Sequence, residues 1–347
     1  MTLPTSPEIA YTAARTTMAW ADLIGYGWLR LTGRDRLDFL QRLSTNDFRK
    51  LAPGAGLPTV LATATGRMIA LLIACATEDA VYLRTAPGRA GTLTSHFNSL
   101  IFWNDELEVS DLSAETAQIG LFGPRAAKWL ADAAGVALDD LQPYAWRGGS
   151  IGGTPAMIQR GGALEAPDWT VIAAAKYVDE LRAILTAAAP ALNEGHVEVI
   201  RVEKGIPAWG SELSDQVTPL EAGLRDAISD NKGCYTGQEV IARQLNYDKV
   251  TRRMVGLLLP ADALIADLKG ATIAAGGRGG FVGTTVWSPA LDRPIALAFV
   301  PRDAAEPGSV VAIKHAGAEV AGEVTGLPFV GQESQQVNKS AGGRIGE

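Results

Sequence analysis

After about residue 250 the chain offers nothing long enough to be a helix of ordinary length. It runs instead through short apolar stretches, MVGLLLP, ATIAAGG, GFVGTTVWS, PIALAFV, SVVAIKH and EVAGEVTG, punctuated by glycine and proline. Such runs bury a face only by pairing with neighbours, and a small antiparallel barrel or sandwich is the architecture that serves them. The change of texture divides the 347 residues near Asp248 to Arg253. It assigns 250–330 to a C-terminal antiparallel β-barrel and leaves 331–347, polar and rich in glycine, as a flexible tail.

Residues 1–249 mix periods. WLRLT reads as a strand, and Gly33 opens a helix with Leu37, Leu40 and Leu43 near one face. PTVLAT and MIALLIACAT form a hairpin about Ala64-Thr-Gly-Arg67, followed by AVYLRT, a helix from about Gly88 to Leu100, and ELEVSDL. A comparable run follows: QIGLFG, a helix entered at Pro124, AMIQRG, DWTVIAA and the helix AKYVDELRAILTAAA. The expectation is an α+β domain of two subdomains, split near 115, with antiparallel sheets.

Composition narrows the function. A formal charge of −7 lacks the concentrated basic face that nucleic acid demands. The longest strongly apolar run, Met68 to Thr77, is about half of the roughly 20 residues a bilayer span needs. The N-terminus has no basic start leading into an apolar run, so a cytoplasmic protein with no membrane partner is expected. Cys75 and Cys234 are the only cysteines, too few for a disulfide framework, and no spacing suggests a metal site.

The stretch NKGCYTGQE, residues 231 to 239, concentrates the remaining signal. Thr236 and Glu239 stand at capping-box spacing, and Tyr235 and Val240 at the spacing of a hydrophobic staple, so a helix is expected to start at Thr236. Capping does not account for Lys232 or Cys234. A cysteine just outside a helix N-terminus, two residues from a lysine, is placed for thiolate formation, and Gly233 and Gly237 clear bulk around it. A small inert cysteine in a turn is the competing reading.

Lys232-Gly-Cys-Tyr-Thr-Gly-Gln-Glu239 resembles the signature of the YgfZ family of folate-binding proteins, relatives of the glycine-cleavage T-protein aminomethyltransferases and of a mitochondrial iron–sulfur assembly factor. Ser44-Thr-Asn-Asp47, Gly66-Arg-Met-Ile69, Gly123-Pro124, Arg201-Val-Glu-Lys-Gly-Ile-Pro207 and Thr218-Pro-Leu-Glu221 agree with it in order. The resemblance implies interlocked ferredoxin-like α+β subdomains around a central folate site, with the barrel beside them. It also implies tetrahydrofolate, or a one-carbon derivative, as cofactor, and iron–sulfur enzymes or assembly proteins as partners. The aminomethyltransferases carry an aspartate pair where this chain has Ala70-Leu71, so the obvious acid–base group of one-carbon transfer is missing.

Site expectations follow from the resemblance. Cys234 is the working thiol and Lys232 tunes it. Arg201 and Glu203 lie in the folate-pocket segment, where an arginine suits carboxylates; a plain ion pair is the other reading. Tyr26 or Trp28 covers a pterin ring, or is an ordinary core aromatic. Gln238 could bond a ligand from the first helical turn. Two further functions stay open: a folate-dependent one-carbon transferase or demethylase, and a thiol redox sensor or scaffold without folate.

Overall fold

The computed structural model describes residues 6–247, 249–261, 268–274 and 279–330, so the tail expected over 331–347 lies outside the described residues. The chain forms two compact units, Met1–Val197 with Ala208–Lys249, and Glu198–Pro207 with Val250–Glu347. Residues 198–207, inside the first domain by sequence, thus pack with the second unit.

The first unit begins with α1 (Ser6–Thr16), β1 (Ala19–Asp22), β2 (Gly27–Thr32), α2 (Arg36–Leu43), β3 (Gly56–Ala62), β4 (Met68–Ala76), β5 (Ala80–Thr85), α3 (Ala90–Asn98) and β6 (Glu108–Asp111). It continues with β7 (Thr116–Phe122), α4 (Ala126–Ala134), β8 (Trp146–Ile151), β9 (Thr154–Arg160), β10 (Trp169–Ala174) and α5 (Val178–Ala188). Two five-stranded sheets result, ordered β3-β4-β5-β2-β6 and β1-β7-β10-β9-β8. Every strand pairing in them is antiparallel. The sheets interlock because β1, early in the chain, pairs with β7 of the later sheet, while β2 enters the first.

Period-2 alternation gives each sheet two jobs. Leu29, Leu31, Leu72 and Leu83 face α2 and α3, meeting Phe39, Leu40 and Phe97 in one core. Ile119, Leu121, Ile158 and Val171 face α4 and α5, meeting Leu130, Leu181 and Leu185 in another. Burying each of these leucines contributes about 1.5–3 kcal/mol. The alternate residues make a seam between the sheets: Trp28, Cys75 and Ile172 form its apolar part, with Tyr82, Trp146 and Met157 against it. Its polar part is Arg84, which bonds Thr170 on the opposite sheet at 2.9 Å and pairs with Glu165.

The second unit holds the end of α6 (Glu194–Glu203) and a closed barrel ordered β11-β14-β13-β12-β15-β16. Those strands are β11 (Arg252–Leu258), β12 (Thr272–Ala274), β13 (Gly280–Ser288), β14 (Arg293–Pro301), β15 (Val310–His315) and β16 (Ala318–Thr325). Each falls on one of the six apolar runs read from the sequence. Val255, Leu257, Ile273, Val282, Ala298, Val311 and Val324 fill the interior. No helix among the described residues is long and apolar enough to cross a membrane.

Candidate functional site

The motif helix, α7, runs Gln238–Asn246. The capping box expected at Thr236 does not form: the N-cap is Gly237, left-handed at φ 82°, with no side-chain cap bond. Tertiary contact explains the shift. A Cβ on Gly237 would lie 2.5 Å from the Thr63 carbonyl oxygen, in the turn between β3 and β4, so only glycine allows this approach. Glu239, freed from capping, accepts from Arg243 at 2.8 Å one turn on. Tyr235 packs with Ala62, Ile228 and Ile241, and Val240 lies against Gly66, so both residues of the expected staple have neighbours in the hairpin region.

Lys232 is buried, and Cys234, two residues on, is exposed. The ammonium donates to the carbonyl oxygens of Gln41 (2.8 Å), Ser44 (2.5 Å) and Asn46 (2.7 Å), where α2 ends. A helix C-terminus leaves carbonyls without intrahelical partners and carries partial negative charge, and an ammonium has three donors to give them. Burial pulls the Lys232 pKa down from 10.5 to about 8, against the opposing charge of Asp47. All three donors go to main-chain carbonyls of the fold.

Four stretches that carried the resemblance meet around this turn. Thr45 Oγ1 donates to Ala227 O at 2.6 Å, and Ser229 N donates to Thr45 O at 3.0 Å. Asn46 Nδ2 reaches Pro58 O at 2.7 Å and Asp226 O at 3.3 Å. Arg67 donates to Gln216 O at 2.7 Å and to Glu221 at 3.3 Å, while Met68 N bonds Val217 O at 3.0 Å. Thr218 and Glu221 cap each other's amides, at 2.9 and 3.3 Å. Segments 44–47, 66–69, 218–221 and 232–239 are therefore one structural neighbourhood.

The other expected residues lie elsewhere. Trp28 is core, stacked on Tyr82 with ring centroids 5.3 Å apart. Tyr26 is partly buried in the turn before β2, where its carbonyl accepts from Gln118 at 3.3 Å. Gln238 is partly exposed at the first turn of α7. Arg201 is buried in the second unit and donates to Glu198, to Ile206 O at 2.6 Å and to Thr284 Oγ1 at 2.9 Å. Glu203 accepts from Ser288 Oγ at 2.5 Å. A register shift in β13 between Val282 and Thr284 makes this possible: Val282 points into the barrel, while Thr284, Val286 and Ser288 turn toward α6.

Sequence reasoning passed over the polar half of the seam. Gln118 and Gln159 are buried, each with a side-chain oxygen that has no partner among the described residues. Gln159 donates to Cys75 Sγ at 3.0 Å and to Tyr144 O at 3.1 Å, and burial pushes the Cys75 thiol up to about 12. The available signal was a glutamine set in each of two apolar strands, Gln118 in QIGLF and Gln159 in AMIQR. The place of the missing aspartate pair is in β4, with Ala70 in the α2/α3 core and Leu71 of opposite parity, on the side of Ile73 and Cys75.

Residues 7–232 match the GCVT N-terminal domain, and residues 252–331 match the glycine cleavage T-protein C-terminal barrel domain. The chain belongs to the glycine cleavage T-protein family. Among its curated relatives, an aminomethyltransferase of Geobacillus kaustophilus is 31% identical over 91% of this chain and 88% of the relative. A putative chloroplastic transferase of Arabidopsis thaliana is 30% identical over 90% of this chain and 71% of the relative. The crystal structure of glycine cleavage system aminomethyltransferase T from Bartonella henselae shares the T-protein fold at a TM-score of 0.80 and 22% identity, covering 92% of this chain and 88% of that one. The cysteine of the motif falls between the two matched stretches.

Proposed function

We propose that this T-protein relative binds tetrahydrofolate, or a one-carbon derivative of it, and serves iron–sulfur enzymes or their assembly proteins through the Cys234 thiol. The carrying observation is the exposed Cys234 on a turn anchored by the buried Lys232 and the half-buried Tyr235. Folate is supported by the T-protein domains that span the chain and by relatives named aminomethyltransferase. The buried acceptors also suit a pterin, whose amino group and ring N–H need them. Gln118 and Gln159 have unpaired buried oxygens, and Tyr26 adjoins Gln118. These three would hold the ring; bound folate would supply a one-carbon carrier. Arg201, expected to meet the folate carboxylates, makes its bonds to Ile206 O and Thr284 within the fold, and the Trp28 ring is stacked on Tyr82.

The test joins binding to consequence. Titration calorimetry should show saturable tetrahydrofolate binding by the parent and by Cys234→Ala alike. A strain carrying only Cys234→Ala should lose activity of its iron–sulfur enzymes while the variant keeps its fold; unchanged activity there sinks the cluster role.

A second reading, one-carbon transfer, is favoured by the aminomethyltransferase relatives. It has against it Ala70 and Leu71, which can neither take a proton nor stabilise a cation. Transfer of a methylene group to tetrahydrofolate from an amine donor by the purified protein would establish it.

A further inference from the structure

Among the described residues, the main chain of the segment that carries Cys234 is tied only at its α7 end, where the carbonyls of Tyr235 and Gly237 accept from Gln238 N and Ile241 N, each at 3.2 Å. From Lys232 to Gly237 no backbone amide donates a hydrogen bond to another described residue. Side chains hold it instead. Ahead of the thiol, Lys232 spends three bonds on the carbonyls at the end of α2. Behind it, the Tyr235 ring lies in the apolar cluster of Ala62, Ile228 and Ile241, and the Lys232 ammonium sits 5.0 Å from that ring's centroid. A Cβ on Gly233 would meet nothing within 4 Å, so the space beside the cysteine is open.

We infer that Lys232 is the positioning residue of the Cys234 thiol: it ties the cysteine's strand of chain to the C-terminus of α2 and presents the sulfur to an incoming partner. It rests on the reading of Cys234 as the working thiol, but makes a claim that can fail alone. Neutral capping of α2 would need only a cation in the carbonyl cage. Positioning needs that cation to be covalently joined to the segment two residues from the sulfur.

The two roles separate experimentally. Cys75 is buried, so a thiol-specific spin label on the full chain reports Cys234. In Lys232→Ala the immobilised part of the label's spectrum should disappear and Cys234 alkylation should speed up several-fold. Ammonium chloride, against sodium chloride at equal ionic strength, should refill the cage and return the melting temperature toward the parent's while the label stays mobile. Lys232→Met, which keeps the apolar stem, serves if the alanine variant does not fold, with the same outcome expected. A label as immobile in these variants as in the parent overturns the assignment, and so does immobilisation regained on adding ammonium. Tetrahydrofolate binding in the parent, measured beside it, tells failure of the functional proposal apart from failure of this one.

Discussion

Two segments carry a buried cation within reach of a glycine turn, and they end in opposite states. At Lys232 the cation is consumed by carbonyls while the cysteine two residues on stands in solvent. At Arg201 the guanidinium and nearby Glu203 both turn inward to Glu198, Thr284, Ile206 and Ser288, and Phe329 N bonds the Glu203 carbonyl. Both were marked by the same family resemblance. A matching motif identifies residues that matter, and only the geometry separates those spent on the fold from those left for chemistry.

Arg201→Ala offers the hardest test of that contrast. It strips partners from Ile206 O and Thr284 and should cost about 3–4 kcal/mol in denaturant titration. Tetrahydrofolate affinity of the folded variant should not change. A loss of affinity with stability held within about 0.5 kcal/mol would make Arg201 a ligand residue and erase the distinction.

The charge on Lys232 gives the next effect. Folding lowers its pKa from 10.5 to about 8, so between those values the unfolded chain holds more protons. Stability from this group therefore rises with pH across that window, by no more than about 3 kcal/mol. The gap between the melting temperatures of the parent and Lys232→Met should widen in that direction; Tyr235, pushed up to about 12 by burial, opposes only above pH 10. Glu239→Ala is the smallest. As half of an exposed pair with Arg243 it should cost about 0.3–0.5 kcal/mol, whereas loss of a true capping-box partner would approach about 1 kcal/mol.

The barrel was legible because each of its strands is an apolar run between glycine or proline breaks. β8 was not, since WRGGSI has a glycine pair and little alternation to read. Helix α1 was passed over because it buries Ala10, Tyr11 and Ala14, small residues that leave a faint periodic signal. The capping box had the right letters, but contact with the β3–β4 turn moved the helix start to Gly237. At the site, the exposed cysteine could be anticipated from its motif. The carbonyl cage could not, because Gln41, Ser44 and Asn46 contribute only backbone atoms, which no residue letter encodes.

The seam between the two sheets bears on how the first unit comes apart. Arg84 belongs to one sheet, and Thr170 and Glu165 to the strand and approach of the other. Peeling either sheet away would strand a buried guanidinium or a buried carboxylate without its counter-charge, a penalty of several kcal/mol. Partial opening along this plane is therefore disfavoured, and the two subdomains that look separable in sequence should melt as a single cooperative block.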